Sequence, residues 1–317
     1  MRIIVTGVAG FIGSTLAERL VQDGFDVTGI DCFTGYYSSA LKHANIEELL
    51  RSPRFRLIES DLGDVDGAVL KDAEVIFHLA GQPGVRSSWG EQFAEYVHHN
   101  ILATQRLLET VKETRVLKRL VFASSSSIYG NCTELPLRER SLPAPVSPYG
   151  VTKLTAEHLC SLYRANYGIP AVCLRYFSVY GPRQRPDMAF NRFFRAALAG
   201  EELTVFGDGS QTRDFTYVDD IVRASIAAAF ADIPEGGAVL NVGSGRSIPL
   251  AGVIDMIRDI TGRNIRVGYS GFEKGDMRDT FADITLAREV LGYSPTIEFR
   301  DGLREEFDWL ARKESCR

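Results

Sequence analysis

A short apolar run that ends in closely spaced glycines constrains the fold of this chain most strongly. Arg2–Thr6 (RIIVT) has the composition of a buried strand, and Thr6–Gly13 (TGVAGFIG) follows it directly. Gly13–Gly24 then carries apolar residues at helical spacing, and a second strand pattern, Asp26–Ile30, ends at Asp31. A strand, a glycine turn and a helix, followed by a strand that ends in an acid, predict the first unit of a doubly wound parallel sheet.

The alternation of strand and helix patterns continues to about residue 175. The further strands that we expect are Phe55–Glu59, Val75–His78, Leu120–Ala123 and Ala171–Arg175, and the helices are Tyr96–Val111 and Tyr149–Tyr167. Such alternation is typical of an α/β fold whose parallel sheet is covered by helices on both faces. We therefore expect residues 1–175 to form a Rossmann-type, dinucleotide-binding domain.

The pattern changes after Tyr176, where helical segments dominate and only short strands, at Leu203–Phe206 and Val239–Val242, interrupt them. We expect residues 176–317 to form a smaller, mainly helical substrate lobe, with some elements crossing back to the first domain. The groove between the two parts is the natural position for a ligand.

Composition excludes several classes of function. A net charge of −5 provides no basic surface for nucleic acid. No apolar run reaches the length of a membrane span, and Met1–Thr6 runs straight into a strand pattern instead of a signal peptide. The five cysteines form no paired metal motif, so we expect a cytoplasmic protein without a metal site.

The glycine turn predicts a dinucleotide site. Gly7, Gly10 and Gly13 allow backbone N–H groups to approach a pyrophosphate at the start of the helix that also contains Phe11 and Ile12. Asp31, 18 residues after Gly13, is placed to accept hydrogen bonds from the adenosine ribose. Because its carboxylate would repel a 2′-phosphate, we expect NAD and not NADP.

Asp61 and Leu62 follow the third strand and are placed to contact adenine. The neighbouring pair His98–His99 has no partner at metal-ligand spacing in the sequence, and we interpret it as structural.

A tyrosine and a lysine four residues apart, Tyr149 and Lys153, share one face of a predicted helix. Lowering a tyrosine pKa from about 10 to about 7 takes roughly 4 kcal/mol, which one cation at about 4 Å can supply. Lys153 and a nicotinamide ring are two such cations, so Tyr149 is a candidate general base.

Ser124–Ser127 follow a strand end, where their hydroxyls can contact a substrate oxygen.

Several stretches together resemble the extended short-chain dehydrogenases/reductases, the NAD-dependent epimerase/dehydratase family. They are TGVAGFIG, SSSSIYG, SPYGVTK, RYFSVYGPRQRP and FGDGSQTRDFTYVDD. GQPGVRSSWG and YGPRQRPDMAF resemble, more narrowly, the UDP-glucuronate 4-epimerases of that family. The resemblance implies hydride abstraction at sugar C4, a 4-keto intermediate that turns over in the site, and return of the hydride.

The resemblance also implies roles for single residues. Tyr149 becomes the base, Lys153 binds the nicotinamide ribose, and Ser125 lies beside the sugar O4. Ala80, Asn100 and Val179 are further expected contacts of NAD.

The expected substrate contacts divide into two groups. Arg213 and Arg278 would hold the UDP diphosphate, with a surface ion pair as the alternative for each, and Phe206 would contact uracil unless it is a core residue. Ser126, Ser127, Ser178 and Arg185 would surround the sugar carboxylate.

Other chemistries remain open at this stage. Ser178 stands where neutral-sugar epimerases carry asparagine, but UDP-glucose or a UDP-N-acetylhexosamine stays an alternative substrate. Decarboxylases and dehydratases of the family carry acids where this chain has Ser126 and Ser127. An NAD-sensing scaffold is the alternative outside enzymes. We expect a homodimer packed through the helices Tyr96–Val111 and Tyr149–Tyr167, as is common in the family.

Overall fold

The computed structural model describes residues 1–132, 134–234 and 236–315. Strands and helices alternate through its first part. They are β1 (Arg2–Thr6), α1 (Phe11–Gln22), β2 (Asp26–Asp31), α2 (Ser39–Leu50), β3 (Phe55–Glu59), α3 (Gly67–Lys71), β4 (Val75–His78), α4 (Phe93–Tyr96), α5 (Ala103–Val111), β5 (Arg119–Ser125), α6 (Pro148–Tyr167) and β6 (Ala171–Tyr176).

The second part has shorter strands between its helices. They are β7 (Ser178–Tyr180), α7 (Ala189–Ala199), β8 (Leu203–Phe206), β9 (Thr212–Arg213), β10 (Phe215–Tyr217), α8 (Val218–Phe230), β11 (Val239–Val242), β12 (Ile248–Pro249), α9 (Leu250–Thr261), β13 (Val267–Ser270), α10 (Thr285–Leu291) and α11 (Phe299–Ser315).

One parallel sheet organises the described part of the chain, with seven strands in the order β3-β2-β1-β4-β5-β6-β11. The direction in which strands are added reverses between β1 and β4, which is the point where an open α/β sheet forms its ligand crevice. The predicted Rossmann-type fold is therefore confirmed. The last strand of the order comes from the second part of the chain, because β11 pairs with β6.

The two faces of β1 show how the sheet is covered. Ile3 and Val5 belong to the buried cluster that includes Leu16 of α1. Ile4 points to the opposite cluster, with Leu107 of α5. Each such side chain contributes about 1.5–3 kcal/mol by leaving water, so alternate positions of a single strand fix helices on both faces of the sheet.

Helix α1 begins at Phe11, two residues earlier than the predicted start at Gly13. Gly10 is its N-cap in an extended conformation, and Phe11 is buried in the core, 4% exposed. Apolar spacing could not reveal this first turn because glycines surround Phe11.

The predicted helix Tyr96–Val111 is not uniform. α4 precedes a π-helical segment, Val97–Leu102, and α5 completes the helix. π-Helical turns are frequent at functional sites, and this one carries Asn100, whose role is described below.

The second lobe is not separate from the sheet. Helix α8 packs on α1 and β5, while α7, α9 and α11 pack on one another. Within the residues that the structure describes, none of the helices has the length and apolar character needed to cross a bilayer.

Candidate active site

A cavity of about 430 Å³ lies at the carboxyl ends of the sheet strands, between them and the second lobe. We call it the groove. The predicted site residues that line it are Gly7, Gly10, Phe11, Ile12, Gly13, Asp31, Leu62, Ala80, Ser125, Ser126, Ser127, Tyr149, Lys153, Ser178, Val179, Arg185 and Arg213. Four other predicted contacts do not line it in the described structure, namely Asp61, Asn100, Phe206 and Arg278.

The glycine turn makes one wall of the groove. Gly7 has a φ of +71°, and a Cβ there would lie 2.8 Å from the backbone nitrogen of Ala80. A Cβ on Gly13 would lie 2.2 Å from the carbonyl oxygen of Gly7. The turn thus has room for backbone only, and it presents the N-terminus of α1 to the groove, which fits a pyrophosphate.

Asp31 is held rigidly at the end of β2. One carboxylate oxygen accepts a hydrogen bond from Ala9 N at 3.0 Å, and the other accepts from Phe33 N at 2.8 Å. Each oxygen keeps a free lone pair for a ribose hydroxyl, and the residue lines the groove. The glycine turn and this carboxylate together fit an NAD molecule.

Asp61 lies behind the groove instead of on its wall. Its carboxylate caps the turn after β3 through Gly63 N at 2.8 Å and pairs with His98 Nε2 at 3.0 Å. Burial alone would raise the pKa of Asp61, but the Gly63 N–H and the charges of His98 and His99 outweigh it and lower that pKa. Leu62, the other residue expected near adenine, does line the groove.

The fold brings a polar group to His99 that the sequence spacing did not indicate. One ligand atom each of Cys32, Asp61 and His99 lies within 4.8 Å of the other two. Burial, followed by the charges of Asp31 and Asp61, raises the pKa of the Cys32 thiol. Since Cys32 and His99 line the groove together with Asp31, this cluster is part of the wall of the groove near the end of β2.

Tyr149 and Ser125 face each other across the middle of the groove. Helix α6 starts with Ser147 as N-cap, whose hydroxyl accepts from Gly150 N at 3.1 Å, and Pro148 occupies the first turn. Burial raises the pKa of the Tyr149 hydroxyl, whereas its hydrogen bond with Ser125 and the charge of Arg185 act to lower it. In the protein alone, the phenol is therefore a weaker acid than we expected from the sequence.

The position of Lys153 explains why Tyr149 is a weaker acid than expected. Its ammonium group donates to the carbonyl oxygen of Ala123 at 2.9 Å, and the residue is only 6% exposed. Burial lowers the pKa of Lys153 to about 8. The lysine is thus anchored to the end of β5, and Ser125 and Arg185 act on the phenol in its place.

Asn100 positions backbone instead of lining the groove. Its side-chain oxygen accepts from Gln82 N at 2.6 Å, and its amide donates to Gln82 O at 3.1 Å and to Thr152 Oγ at 2.9 Å. The π-helical turn thereby ties the loop after β4 to helix α6, next to Lys153.

The four serines after β5 have different surroundings. Ser124 donates to a buried carboxylate, Glu157 Oε2, at 2.6 Å, and Glu157 also pairs with Arg175 at 2.6 Å. Ser125 donates to Ser127 Oγ at 3.0 Å. The Ser124 hydroxyl is therefore used by a buried hydrogen bond within the protein. Ser125 and Ser127 form a hydroxyl pair that lines the groove with Tyr149.

The two predicted diphosphate arginines differ. Arg213 lines the groove, and its guanidinium donates to the carbonyl oxygens of Thr212 at 2.9 Å and Arg278 at 2.6 Å. The Arg278 side chain is 72% exposed and lies 3.7 Å from Asp279. Its position matches the surface ion pair that the sequence left open, since it is exposed and does not line the groove.

Phe206 is covered by two arginines. The guanidinium of Arg86 lies 4.0 Å from its ring centroid, and that of Arg192 lies 5.5 Å away. Arg86 also pairs with Asp276 at 2.6 Å. The ring is thus occupied in this conformation, and a uracil contact requires Arg86 to move.

Sequence reasoning missed three polar residues in or beside the groove. Tyr36 and Asp276 line the groove. Asp187 accepts two hydrogen bonds of 3.0 Å from the Arg185 guanidinium. Tyr36 lies in the loop after β2, so no spacing rule connects it to Tyr149. The pairing of Asp187 with Arg185, by contrast, is visible as an acid two residues after an arginine.

A doubly wound sheet with a glycine cradle, an acid at the end of β2 and a Ser–Tyr–Lys set define a dinucleotide-dependent enzyme of the short-chain dehydrogenase class. Comparison with known proteins narrows the class. Residues 3–243 match the NAD dependent epimerase/dehydratase family, and the chain belongs to that family.

Relatives match over nearly the whole length. An uncharacterised UDP-glucose epimerase, YtcB of Bacillus subtilis, is 45% identical and covers 98% of both chains. The UDP-glucuronate 4-epimerase of Thermodesulfobacterium geofontis is 36% identical over 96% of this chain and 95% of that protein. The crystal structure of the UDP-glucuronic acid 4-epimerase of Bacillus cereus, in complex with UDP-glucuronic acid and NAD, is 44% identical, with a TM-score of 0.94 and coverage of 99% of this chain and 100% of that chain.

Proposed function

We propose that the chain is an NAD-dependent 4-epimerase that interconverts UDP-glucuronate and UDP-galacturonate. The observation that carries the proposal is that Ser125, Tyr149 and Lys153 line the same groove as the glycine turn and Asp31. Residues 1–175 would bind NAD and residues 176–317 the nucleotide sugar, with β11 shared with the first domain. The similarity to UDP-glucuronate epimerases over the whole chain supports the choice of substrate.

Tyr149 is the residue that we propose to take the proton from the sugar O4, with Ser125 beside it to hold that oxygen. NAD⁺, held by the glycine turn and Asp31, would supply the hydride acceptor for C4 and the donor that reduces the other face of the 4-keto sugar. Burial raises the pKa of Tyr149 in the protein alone, and Ser125 and the charge of Arg185 act against that rise. Lys153 then fixes the strand end that presents Ser125, through its bond to Ala123 O.

The cofactor would lie along the glycine turn, with its adenosine ribose on Asp31. Gly7 and Gly13 supply the close backbone approach, and Leu62, Ala80 and Val179 complete the contacts along the groove. We propose that Asp61 and Asn100 act indirectly, through the backbone that they hold.

The sugar carboxylate is assigned to the hydroxyls of Ser126, Ser127 and Ser178, next to Arg185. All four residues line the groove. The three serines lie just after β5 and at the start of β7, and Arg185 lies in the turn after β7. Arg213 is the proposed partner of the diphosphate, because its half-buried guanidinium lines the groove and can donate to phosphate oxygens. For Arg278 and Phe206, a role requires rearrangement on binding.

Product identification across a panel of UDP-sugars tests the proposal. The purified protein, with no NAD⁺ added, should convert UDP-glucuronate to UDP-galacturonate, separated by anion-exchange chromatography. UDP-glucose and UDP-N-acetylglucosamine serve as comparison substrates. Formation of a UDP-pentose alone, or no turnover of any UDP-sugar by NAD-loaded protein, would contradict the proposal.

A neutral UDP-hexose is the second candidate substrate. The relative that is 45% identical carries the name of a UDP-glucose epimerase. Ser178 argues for the uronate, since a small hydroxyl leaves space and a donor for a carboxylate. The ratio of kcat/KM for UDP-glucuronate and UDP-glucose decides between the two.

We further propose a homodimer through the helical surfaces at residues 93–111 and 148–167. Large apolar side chains are exposed there, with Leu102 at 42% and Leu162 at 57%. Exposed apolar residues on neighbouring helices favour an interface. Sedimentation at twice the mass of the chain, lost in a Leu102→Asp/Leu162→Asp variant that keeps its circular dichroism, is the expected result.

A cytoplasmic location is part of the same proposal. Cys160 and Cys173 are buried free thiols, and Cys160 is close enough to help raise the pKa of Cys173. Adjacent thiols that stay unpaired are typical of a reducing compartment. Cys316 lies outside the described residues.

A further inference from the structure

The Arg185 guanidinium at the sugar end of the groove is already paired within the protein. Asp187 accepts from Arg185 Nε through one carboxylate oxygen and from Nη2 through the other, both at 3.0 Å. This is the side-on, two-pronged geometry in which guanidinium and carboxylate bind each other most strongly. Arg185 is 18% exposed and Asp187 37%, so the pair lies at the edge of the groove with the arginine inward.

A third donor holds the carboxylate on the arginine. The Tyr36 hydroxyl donates to Asp187 Oδ2 at 3.2 Å and contacts Ser87 Oγ at 3.2 Å. The Arg185 guanidinium also lies 5.9 Å from the centre of the Tyr36 ring. Asp187 is therefore fixed in place from the loop after β2 as well as from its own turn.

The pair leaves Arg185 only partly available to a ligand. Among the residues that the structure describes, Nη1 of Arg185 has no protein acceptor, while Nε and Nη2 are engaged. A sugar carboxylate that enters the groove meets a guanidinium whose charge Asp187 offsets. Its bond to Arg185 is consequently weaker than a bond to a free arginine.

Weak binding of the carboxylate has a use in the proposed reaction. The 4-keto sugar has to turn between its two half-reactions, and a two-pronged arginine clamp on the carboxylate would oppose that turn. A contact that binds substrate, intermediate and transition state equally tightly lowers KM without raising kcat. A carboxylate held mainly by serine hydroxyls can exchange its partners as the ring moves.

We propose that Asp187 is a specificity-determining residue that keeps Arg185 from clamping the uronate carboxylate, so that the sugar ring can turn. This inference rests on the proposed function, because it requires a uronate substrate and a turning intermediate. Asp187 acts through Arg185 and touches neither the reacting carbon nor the cofactor.

The test is Asp187→Asn, which keeps the shape of the side chain and removes its charge. We expect UDP-glucuronate to bind about fivefold more tightly, measured by calorimetry in a Tyr149→Phe background where no turnover occurs. With Tyr149 intact, kcat should fall about fivefold or more, while kcat and KM for UDP-glucose stay within twofold of the parent. Asp255→Asn, which removes an exposed partner of Arg258 on α9, is the matched control and should change neither quantity.

A double-mutant cycle assigns the effect to Arg185. In an Arg185→Ala background, Asp187→Asn should no longer change uronate affinity. Weaker uronate binding in Asp187→Asn would mean that Asp187 only orients the arginine, which overturns the inference. Equal losses for UDP-glucuronate and UDP-glucose would overturn it too.

The two proposals fail in different ways. If the parent enzyme does not epimerise UDP-glucuronate, the proposed function is wrong. If the parent does so, and Asp187→Asn neither tightens binding nor slows turnover, only the role of Asp187 is wrong.

Discussion

Lys153 Nζ donates a hydrogen bond of 2.9 Å to the carbonyl oxygen of Ala123. The bond connects helix α6 to the end of β5, two residues before Ser125. It shows that the lysine of the Tyr–Lys pair has a structural partner within the protein, in addition to any contact with a bound dinucleotide. A buried ammonium group with one carbonyl partner also carries an energetic cost, which can be measured.

We predict that Lys153→Met stabilises the NAD-free protein near neutral pH. The pKa of Lys153 falls from 10.5 to about 8 on folding, which corresponds to about 3 kcal/mol against the charged form. Loss of the Ala123 hydrogen bond offsets about 1 kcal/mol of this. Urea unfolding of the NAD-stripped proteins at about pH 7 should give the variant an advantage of about 2 kcal/mol.

The pH dependence of that advantage has a definite sign. Between the folded pKa of about 8 and the unfolded value of 10.5, the unfolded parent binds more protons than the folded one. Its stability therefore rises with pH across this window, and the gap to Lys153→Met should narrow by about pH 10. Lys71→Met, at an exposed lysine of α3, should lie within about 0.5 kcal/mol of the parent at both values. A variant less stable than the parent at about pH 7 contradicts the prediction.

Gly7→Ala should abolish dinucleotide retention. The residue has a φ of +71° and its Cβ would lie 2.8 Å from the Ala80 nitrogen. Gly24→Ala is the matched control, with a φ of +90° and nothing within 4 Å of the added carbon. Both variants lose about 1–2 kcal/mol to backbone strain, and only Gly7→Ala adds about 1–3 kcal/mol from the clash. Equal NAD content in the two purified variants would show that the Ala80 contact is unimportant.

Tyr149→Phe should lower kcat by at least about a hundredfold, as expected when a general base is lost. The variant keeps the aromatic ring that packs edge-to-face with Tyr96 at 6.3 Å, so folding and NAD content should be unchanged. Chromatographic product assays and the absorbance of bound cofactor check the two expectations. Turnover within tenfold of the parent rejects Tyr149 as the base.

Ser178→Asn should shift preference away from the uronate. The substitution replaces a small hydroxyl at the start of β7 with a larger amide, and a lost hydrogen bond to a charged group costs about 1.5–3 kcal/mol. The ratio of kcat/KM for UDP-glucuronate over UDP-glucose should fall about tenfold or more. An unchanged ratio removes Ser178 from the carboxylate site.

Local chemistry made the cofactor half of the groove predictable. Gly7, Gly13 and Asp31 follow strand ends, and strand ends of a parallel sheet meet at one edge. Their positions could therefore be derived without knowing any long-range contact. The same holds for Tyr149 and Lys153, which are four residues apart on one helix.

Contacts between distant segments could not be predicted in this way. The bond from Ser124 to Glu157 crosses from a strand to a helix, and Tyr36 reaches Asp187 across 151 residues. Arg278 was expected as a second diphosphate partner beside Arg213, yet its side chain is exposed, whereas Arg213 lines the groove. Only tertiary packing decides whether an arginine lines the groove or faces solvent, because the residue type is the same in both cases.

The fate of the hydrogen at C4 tests the central claim most directly. UDP-glucuronate deuterated at C4 is incubated with the purified enzyme, without added NAD⁺, and the product is examined by mass spectrometry and NMR. The account predicts UDP-galacturonate that retains the deuterium at C4, with no exchange with water. Loss of the label to solvent, or a product inverted at another carbon, would contradict it.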